Sequence, residues 1–381
     1  MAGLESTGVY RKLGVRRVIN AMGNRTLLGG SSVSDRVQEA MEEANQHYVD
    51  VEELLEKAGA YIASRLGVEA AYITSGCAAA MALGVAGMMS GTDPDKIAHL
   101  PIASGLKNEV VFQRPQRYIY QRCFTITGAT LVEVGSDERC TAAEIAEAIG
   151  PTTAAVAYLA LHDWDDSVVP LDKVVEIAHN KGVPVIVAAA NQIFPLDYFP
   201  RVAQSAALVC FGAKYFGSPQ STGLVCGSRK YVDALAANAF IGFEQSGGRS
   251  MGRPMKVDRQ EIAGVVTAFD DWFTTNHEER LLTCEAKMEA VQRSLQDLPG
   301  VKTAIGASRL PAWPSTLRIT IDTQELGITA PDIAKELMGG DPSIWLGARG
   351  DDTLGVNGNE LVEGDEEFLI AGLRRALSPR N

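Results

Sequence analysis

From Val37 onward apolar residues return at Met41, Ala44, Tyr48, Val51, Leu55, Ala58, Ile62 and Leu66. Steps of three and four predict helix with one buried stripe, as a single segment or as two with a short break, closed by Gly67. The rhythm then changes. Short apolar runs at residues 70–74, 109–113, 129–134, 154–161, 183–190, 206–210 and 223–226 alternate with helical stretches such as 142–149 and 171–181. Several of these runs are apolar at every position, not every second one, which is the pattern of strands covered by helices on both faces. They predict an α/β domain around a mostly parallel seven-stranded sheet. Residues 258–273 and 280–298 then read as long helices, and a smaller α+β unit follows with strands at 316–321 and 343–346 and a last helix at 365–377. The expected division is an N-terminal segment over 1–35, a large domain over 36–260, and a linking helix with a small C-terminal domain over 261–381.

Composition narrows the class. With 381 residues, 46% hydrophobic and 22% charged, the chain suits a globular enzyme and not a disordered or fibrous protein. A net charge of −12 disfavours attraction to nucleic acid or to anionic lipid. No apolar run approaches the roughly 18–20 residues that span a bilayer, and Met1-Ala2-Gly3-Leu4-Glu5-Ser6 lacks the layout of a secretion signal. A cytoplasmic protein without membrane or nucleic-acid partners is expected. Cys77, Cys123, Cys140, Cys210, Cys226 and Cys284 are scattered with no C-x-x-C pair, and the five histidines show no metal-ligand spacing. Reduced thiols and no metal site follow.

Two segments carry candidate chemistry. In Phe211-Gly212-Ala213-Lys214-Tyr215-Phe216-Gly217-Ser218-Pro219, a lysine sits on a tight loop between two apolar strands. Partial desolvation there lowers an amine's pKa and makes it a nucleophile towards an aldehyde, although a surface lysine in a loop has the same local sequence. Upstream, the strand over 70–74 runs into Ser75-Gly76-Cys77 and an alanine-rich helix. A strand, a small-residue turn and a helix start can present free N–H groups to a phosphate, and can equally be an ordinary turn.

These segments, with Val18-Ile19-Asn20-Ala21-Met22-Gly23, Gln113-Arg114-Pro115-Gln116-Arg117, Pro184-Val185-Ile186-Val187 and Gly252-Arg253-Pro254-Met255-Lys256, resemble the bacterial selenocysteine synthase-like family of fold-type I pyridoxal phosphate enzymes, which includes the D-glucosaminate-6-phosphate ammonia-lyases. The resemblance covers most of the chain. It implies pyridoxal 5'-phosphate as cofactor, Lys214 as its Schiff-base residue and acid/base, and Ser75, Gly76, Cys77 and Gly212 around the cofactor. Arg253 is implied as a cationic contact to phosphate or substrate, supplied across a homodimer or higher homo-oligomer. It implies a small-molecule substrate, an amino acid or amino sugar acid, and a reaction within elimination, racemisation or aldol-type cleavage. Arg25, Arg117 and Arg349 are candidates for an anionic group of the substrate, and His162 for approach to the reacting centre. Selenium transfer on a tRNA is not expected, since that branch has a further N-terminal RNA-binding domain.

The sequence departs from the family pattern at one chemically decisive place. The family's Val-Asp-Ala-Ala run is here Val187-Ala188-Ala189-Ala190, followed by Asn191, so Ala188 stands where an aspartate pairs with the pyridine nitrogen. An ionised carboxylate keeps that nitrogen protonated and the ring a strong electron sink. Alanine leaves three readings: chemistry that tolerates a weaker sink, a residue introduced to disable the site, or a noncatalytic ligand-binding protein on the same fold. Asn191 is the candidate donor to an unprotonated nitrogen. Phe211 replaces a small hydroxyl residue, and Gln116 stands where a histidine often lies against the ring.

Overall fold

The computed structural model describes residues 8–161, 165–306 and 316–378. Two compact units divide the chain, Val33–Thr274 and a second formed by Met1–Ser32 with Thr275–Asn381.

The larger unit is built on the expected seven-stranded sheet. From one edge the order is Ala70–Thr74, Gly223–Gly227, Leu208–Gly212, Val185–Ala188, Thr153–Leu159, Glu109–Gln113 and Thr130–Val134. Gly223–Gly227 runs antiparallel to both neighbours, and the other pairings are parallel. Six strands therefore point the same way, and their C-terminal ends share one edge of the sheet with the start of Gly223–Gly227. Such an edge is where open α/β sheets bind ligands. The helix Gly76–Ser90 is apolar all round and almost wholly buried against the sheet, as its alanine-rich sequence requires. The stripe from Val37 to Leu66 is two helices, Asp35–Gln46 and Val51–Leu66. Asp50 enforces the break, because its carboxylate accepts the N–H groups of Glu52 and Glu53 and so starts a second helix.

The linking helix, expected in the second domain, packs in the larger unit. Arg259–Thr274 lies along Asp35–Gln46, where the Arg259 Nε donates to the Ala44 carbonyl at 2.9 Å and Arg36 pairs with Asp271. Its Phe269 and Phe273 join Phe199, Phe211 and Phe216 in an aromatic cluster, with Phe199 and Phe211 ring centroids 4.9 Å apart. Phe211 is fully buried there, so its side chain serves the core.

In the smaller unit Val301–Gly306, Thr316–Ile321, Thr353–Asn357 and Gly347–Arg349 form an antiparallel sheet. Val18–Asn20 pairs in parallel with Ser343–Trp345, and Ile19 and Ala21 enter a core with Leu317, Ile344 and Leu369. Backbone pairing thus places the N-terminal segment with the C-terminal residues, although the sequence separates them by more than the length of the large unit.

Candidate active site

Thr74, Gly223 and Gly212 stand side by side on three adjacent strands. One residue beyond this row lies the turn at Ser75 on one side and Ala213-Lys214 on the other. The row requires glycine at 223, since a Cβ there would fall 2.3 Å from the Gly76 carbonyl carbon and 2.6 Å from the Cys77 nitrogen. Backbone therefore lies on backbone, bringing the start of the helix Gly76–Ser90 against the lysine loop. Ser75 makes no side-chain capping hydrogen bond, so the first-turn N–H groups keep the polarity of an anion site. The Cys77 thiol donates to the Cys210 carbonyl at 3.4 Å, on the lysine strand, and burial pushes its pKa up to about 12. Cys77 can thus contribute its backbone N–H to a phosphate, while its sulfur stays protonated and inert.

Lys214 lies in a 3-10 turn, Ala213–Phe216, that follows the strand Leu208–Gly212 directly and ends on Gly217. Three backbone contacts fix the turn: Gly212 N–H to the Ala190 carbonyl at 2.8 Å, Ala213 N–H to the Thr222 carbonyl at 3.1 Å, and Ser218 N–H to the Ala213 carbonyl at 3.3 Å. A buried hydroxyl pair, Ser218 and Thr222 at 2.8 Å, closes its base. The Lys214 side chain is half-buried and its Nζ stands 5.2 Å from the centre of the Tyr215 ring.

Ala188 ends the neighbouring strand in register with Cys210 and Leu159, and is buried. Asn191 follows in a turn, where its Oδ1 accepts from Gln192 Nε2 at 2.9 Å, leaving the amide NH2 to donate elsewhere. Gln116, a candidate neighbour of the cofactor, is engaged with the protein backbone. It is fully buried, its Nε2 donates to the Leu159 carbonyl at 3.0 Å, and its Oε1 accepts the Leu159 N–H at 3.3 Å. Arg117 is likewise committed, with Nε to Glu133 at 2.7 Å, a second contact through its NH2 group, and Asp137 at 3.2 Å. Its guanidinium pKa is raised chiefly by the Glu133 hydrogen bonds. Arg253 pairs with Glu244 at 3.0 Å on the surface. Arg25 caps the short turn Thr26–Leu28 and Arg349 ends a strand, both exposed and both in the other unit. His162 lies outside the described residues. Among the described residues no group of three or more His, Cys, Asp or Glu side chains could hold a metal ion, and no helix is long and apolar enough to cross a membrane.

Sequence reasoning missed Gly223 and Tyr215. The glycine was legible only as a strand start, because its partner Gly76 is far away in sequence.

No family model matches the chain. Its sequence is 29% identical over 374 residues to D-glucosaminate-6-phosphate ammonia lyase of Salmonella typhimurium (strain 14028s / SGSC 2262), covering 96% of this chain and 97% of that protein. A solved structure of D-glucosaminate-6-phosphate ammonia-lyase superposes with a TM-score of 0.83 at 27% identity, over 98% of this chain and 99% of that one. The chain is 32% identical over 345 residues to a 5'-C-glycyluridine monooxygenase-decarboxylase of Streptomyces sp, covering 88% and 83% respectively. The chain belongs to the family of fold-type I pyridoxal phosphate-dependent enzymes that contains these proteins. The geometry fits that family's cofactor at two of its three functional ends. Lys214 would offer an amine to the aldehyde, and the uncapped start of Gly76–Ser90 would offer N–H groups to the phosphate. At Ala188 the side chain would offer no carboxylate to the pyridine nitrogen.

Proposed function

We propose that this chain is a pyridoxal phosphate-dependent lyase acting on a small amino acid or amino sugar acid. One observation carries the reading: the Lys214 loop and the helix start at Gly76 lie on the same sheet edge, separated by the single strand that begins at Gly223. When bound, the cofactor supplies an aldehyde for covalent capture of an amine and a ring that withdraws electrons from the adjacent carbon. Lys214 Nζ is its attachment point and, once displaced by the substrate amine, the base that takes the proton from the carbon bearing that amine. The N–H groups of Gly76 and Cys77 hold the phosphate, and Gly212 lets the loop turn close to the sheet. A substrate with a hydroxyl on the next carbon loses it as water, and hydrolysis then releases ammonia and a 2-oxo acid, the net change of an ammonia-lyase. Racemisation finds no support in the names of the two relatives.

Arg25, Arg117 and Arg349 are the candidates for the substrate anion, and Arg117 would have to give up Glu133 to serve it. Arg253 reaches a neighbouring copy in a homodimer by exchanging Glu244 for phosphate, and His162 is the candidate for approach to the substrate. A cytoplasmic location goes with these assignments.

A second reading is favoured by Ala188 and by the monooxygenase-decarboxylase relative. Without a carboxylate to hold the ring nitrogen protonated, electron density stays on the substrate carbon, which makes that carbon easier for dioxygen to oxidise. An amino acid R–CH(NH2)–COOH and O2 would then give R–CO–NH2, CO2 and H2O.

Purified protein incubated with pyridoxal phosphate should turn yellow, and borohydride should fix the cofactor to the peptide containing Lys214, as read by mass. A protein that stays colourless would favour a noncatalytic role. Release of ammonia without oxygen uptake supports the lyase; oxygen uptake with CO2 supports the second reading.

A further inference from the structure

We propose that Tyr215 is a positioning residue for Lys214, its ring being the resting place of the lysine ammonium whenever that amine is not bonded to the cofactor. The inference rests on Lys214 as the cofactor lysine and goes beyond it in naming one group that holds the displaced amine. The Nζ lies 5.2 Å from the ring centre, within the distance at which a cation is attracted to the face of an aromatic ring. Adjacent Lys230 and Tyr231 make a similar contact at 5.1 Å, and what distinguishes Tyr215 is that its ring is fixed over Gly212.

The ring has room for this position because residue 212 has no side chain. A Cβ on Gly212 would stand 3.1 Å from both Cδ2 and Cε2 of Tyr215, so the ring lies directly over that glycine. Gly212 is itself fixed, its N–H donating to the Ala190 carbonyl at 2.8 Å, and the Gly217 N–H donates to the Lys214 carbonyl at 3.2 Å. The half-buried ring is therefore held at a set height above the strand end, where the lysine leaves the main chain.

The functional consequence concerns amine exchange at the cofactor aldehyde carbon. A substrate ammonium enters, a new C–N bond forms, the bond to Lys214 breaks and Lys214 leaves as an ammonium, with no net proton released until it gives that proton to solvent and becomes the base. The ring stabilises only the state in which Lys214 is free and charged. It therefore shifts the exchange towards bound substrate.

The test uses Tyr215→Phe, which keeps the ring, and Tyr215→Leu, which removes it. In cofactor-free protein whose lysines carry 13C-methyl groups, the Lys214 methyl signal, assigned by its loss in Lys214→Arg, should be shifted upfield by the ring. That shift should persist in Tyr215→Phe and vanish in Tyr215→Leu. In unmodified holoenzyme the equilibrium constant for displacement of Lys214 by glycine, read from the cofactor absorption, should fall roughly 2- to 30-fold in Tyr215→Leu and stay unchanged in Tyr215→Phe. An unshifted Lys214 signal in the native protein, or an exchange constant insensitive to the loss of the ring, overturns the proposal. The methyl signal needs neither cofactor nor variant stability, so it decides the matter even if Tyr215→Leu does not fold or the protein binds no pyridoxal phosphate.

Discussion

Gln116 and Leu159 exchange two hydrogen bonds, the side-chain amide of one completing the backbone of the other at 3.0 and 3.3 Å. Leu159 is the last residue of its strand and the register partner of Ala188, so the amide extends the sheet one step past its own ladder, beside the proposed ring-nitrogen position. The primary amide presents its donor and acceptor side by side to one residue, whereas the two nitrogens of an imidazole point apart. Gln116 is therefore a structural residue at the edge of the site.

Gln116→Ala strands a buried N–H and a buried carbonyl. We expect a loss of about 1–3 kcal/mol in stability, measured by denaturant unfolding, with the spectrum of bound cofactor retained. A spectral change without loss of stability would return Gln116 to the cofactor.

Gly223→Ala drives a methyl group into the Gly76-Cys77 backbone, and neither chain can yield cheaply because both are main chain. The expected outcome is weaker cofactor binding by at least tenfold in a titration, together with a lower melting temperature. Gly217→Ala, whose Cβ meets nothing within 4 Å but whose φ is +84°, serves as a comparison: strain at the turn without closure of the phosphate cradle.

Ala188→Asp buries a carboxylate. Without cofactor the variant should be less stable than the parent, since an unpaired buried charge is costly. With pyridoxal phosphate the ring nitrogen would take that charge as its partner, so the gain in melting temperature on cofactor binding should be larger in the variant, and the cofactor absorption should move. Equal gains and an unchanged spectrum would place Ala188 away from the nitrogen.

Burial pushes the thiol of Cys77 up to about 12 and those of Cys140 and Cys284 up to about 11. In the unfolded chain such thiols ionise near pH ~8.5. The folded protein therefore keeps protons that the unfolded chain releases, and stability contributed by these groups is complete below about pH 8 and is lost as pH rises towards 11 to 12. Denaturant midpoints should decline over that window. At pH 8 alkylation should leave Cys77 unmodified in the folded protein and modify it readily after unfolding.

The sequence by itself determined the seven strands, the lysine loop, the strand-turn-helix at Ser75 and the departure at Ala188. All of these are local patterns: unbroken apolar runs, small residues at turns, one missing charge. What pairs with what was not local. That Val18–Asn20 joins Ser343–Trp345, that Gly223 presses on Gly76, and that Arg117 is spent on Glu133 are contacts between segments far apart in the chain. Side-chain partners are chosen by packing, which residue spacing does not encode. Gln116, Arg117 and Arg253 carried the right chemistry for a ligand site, and tertiary structure gave each of them a protein partner because an amide or guanidinium satisfies whichever complementary group the fold brings within about 3 Å.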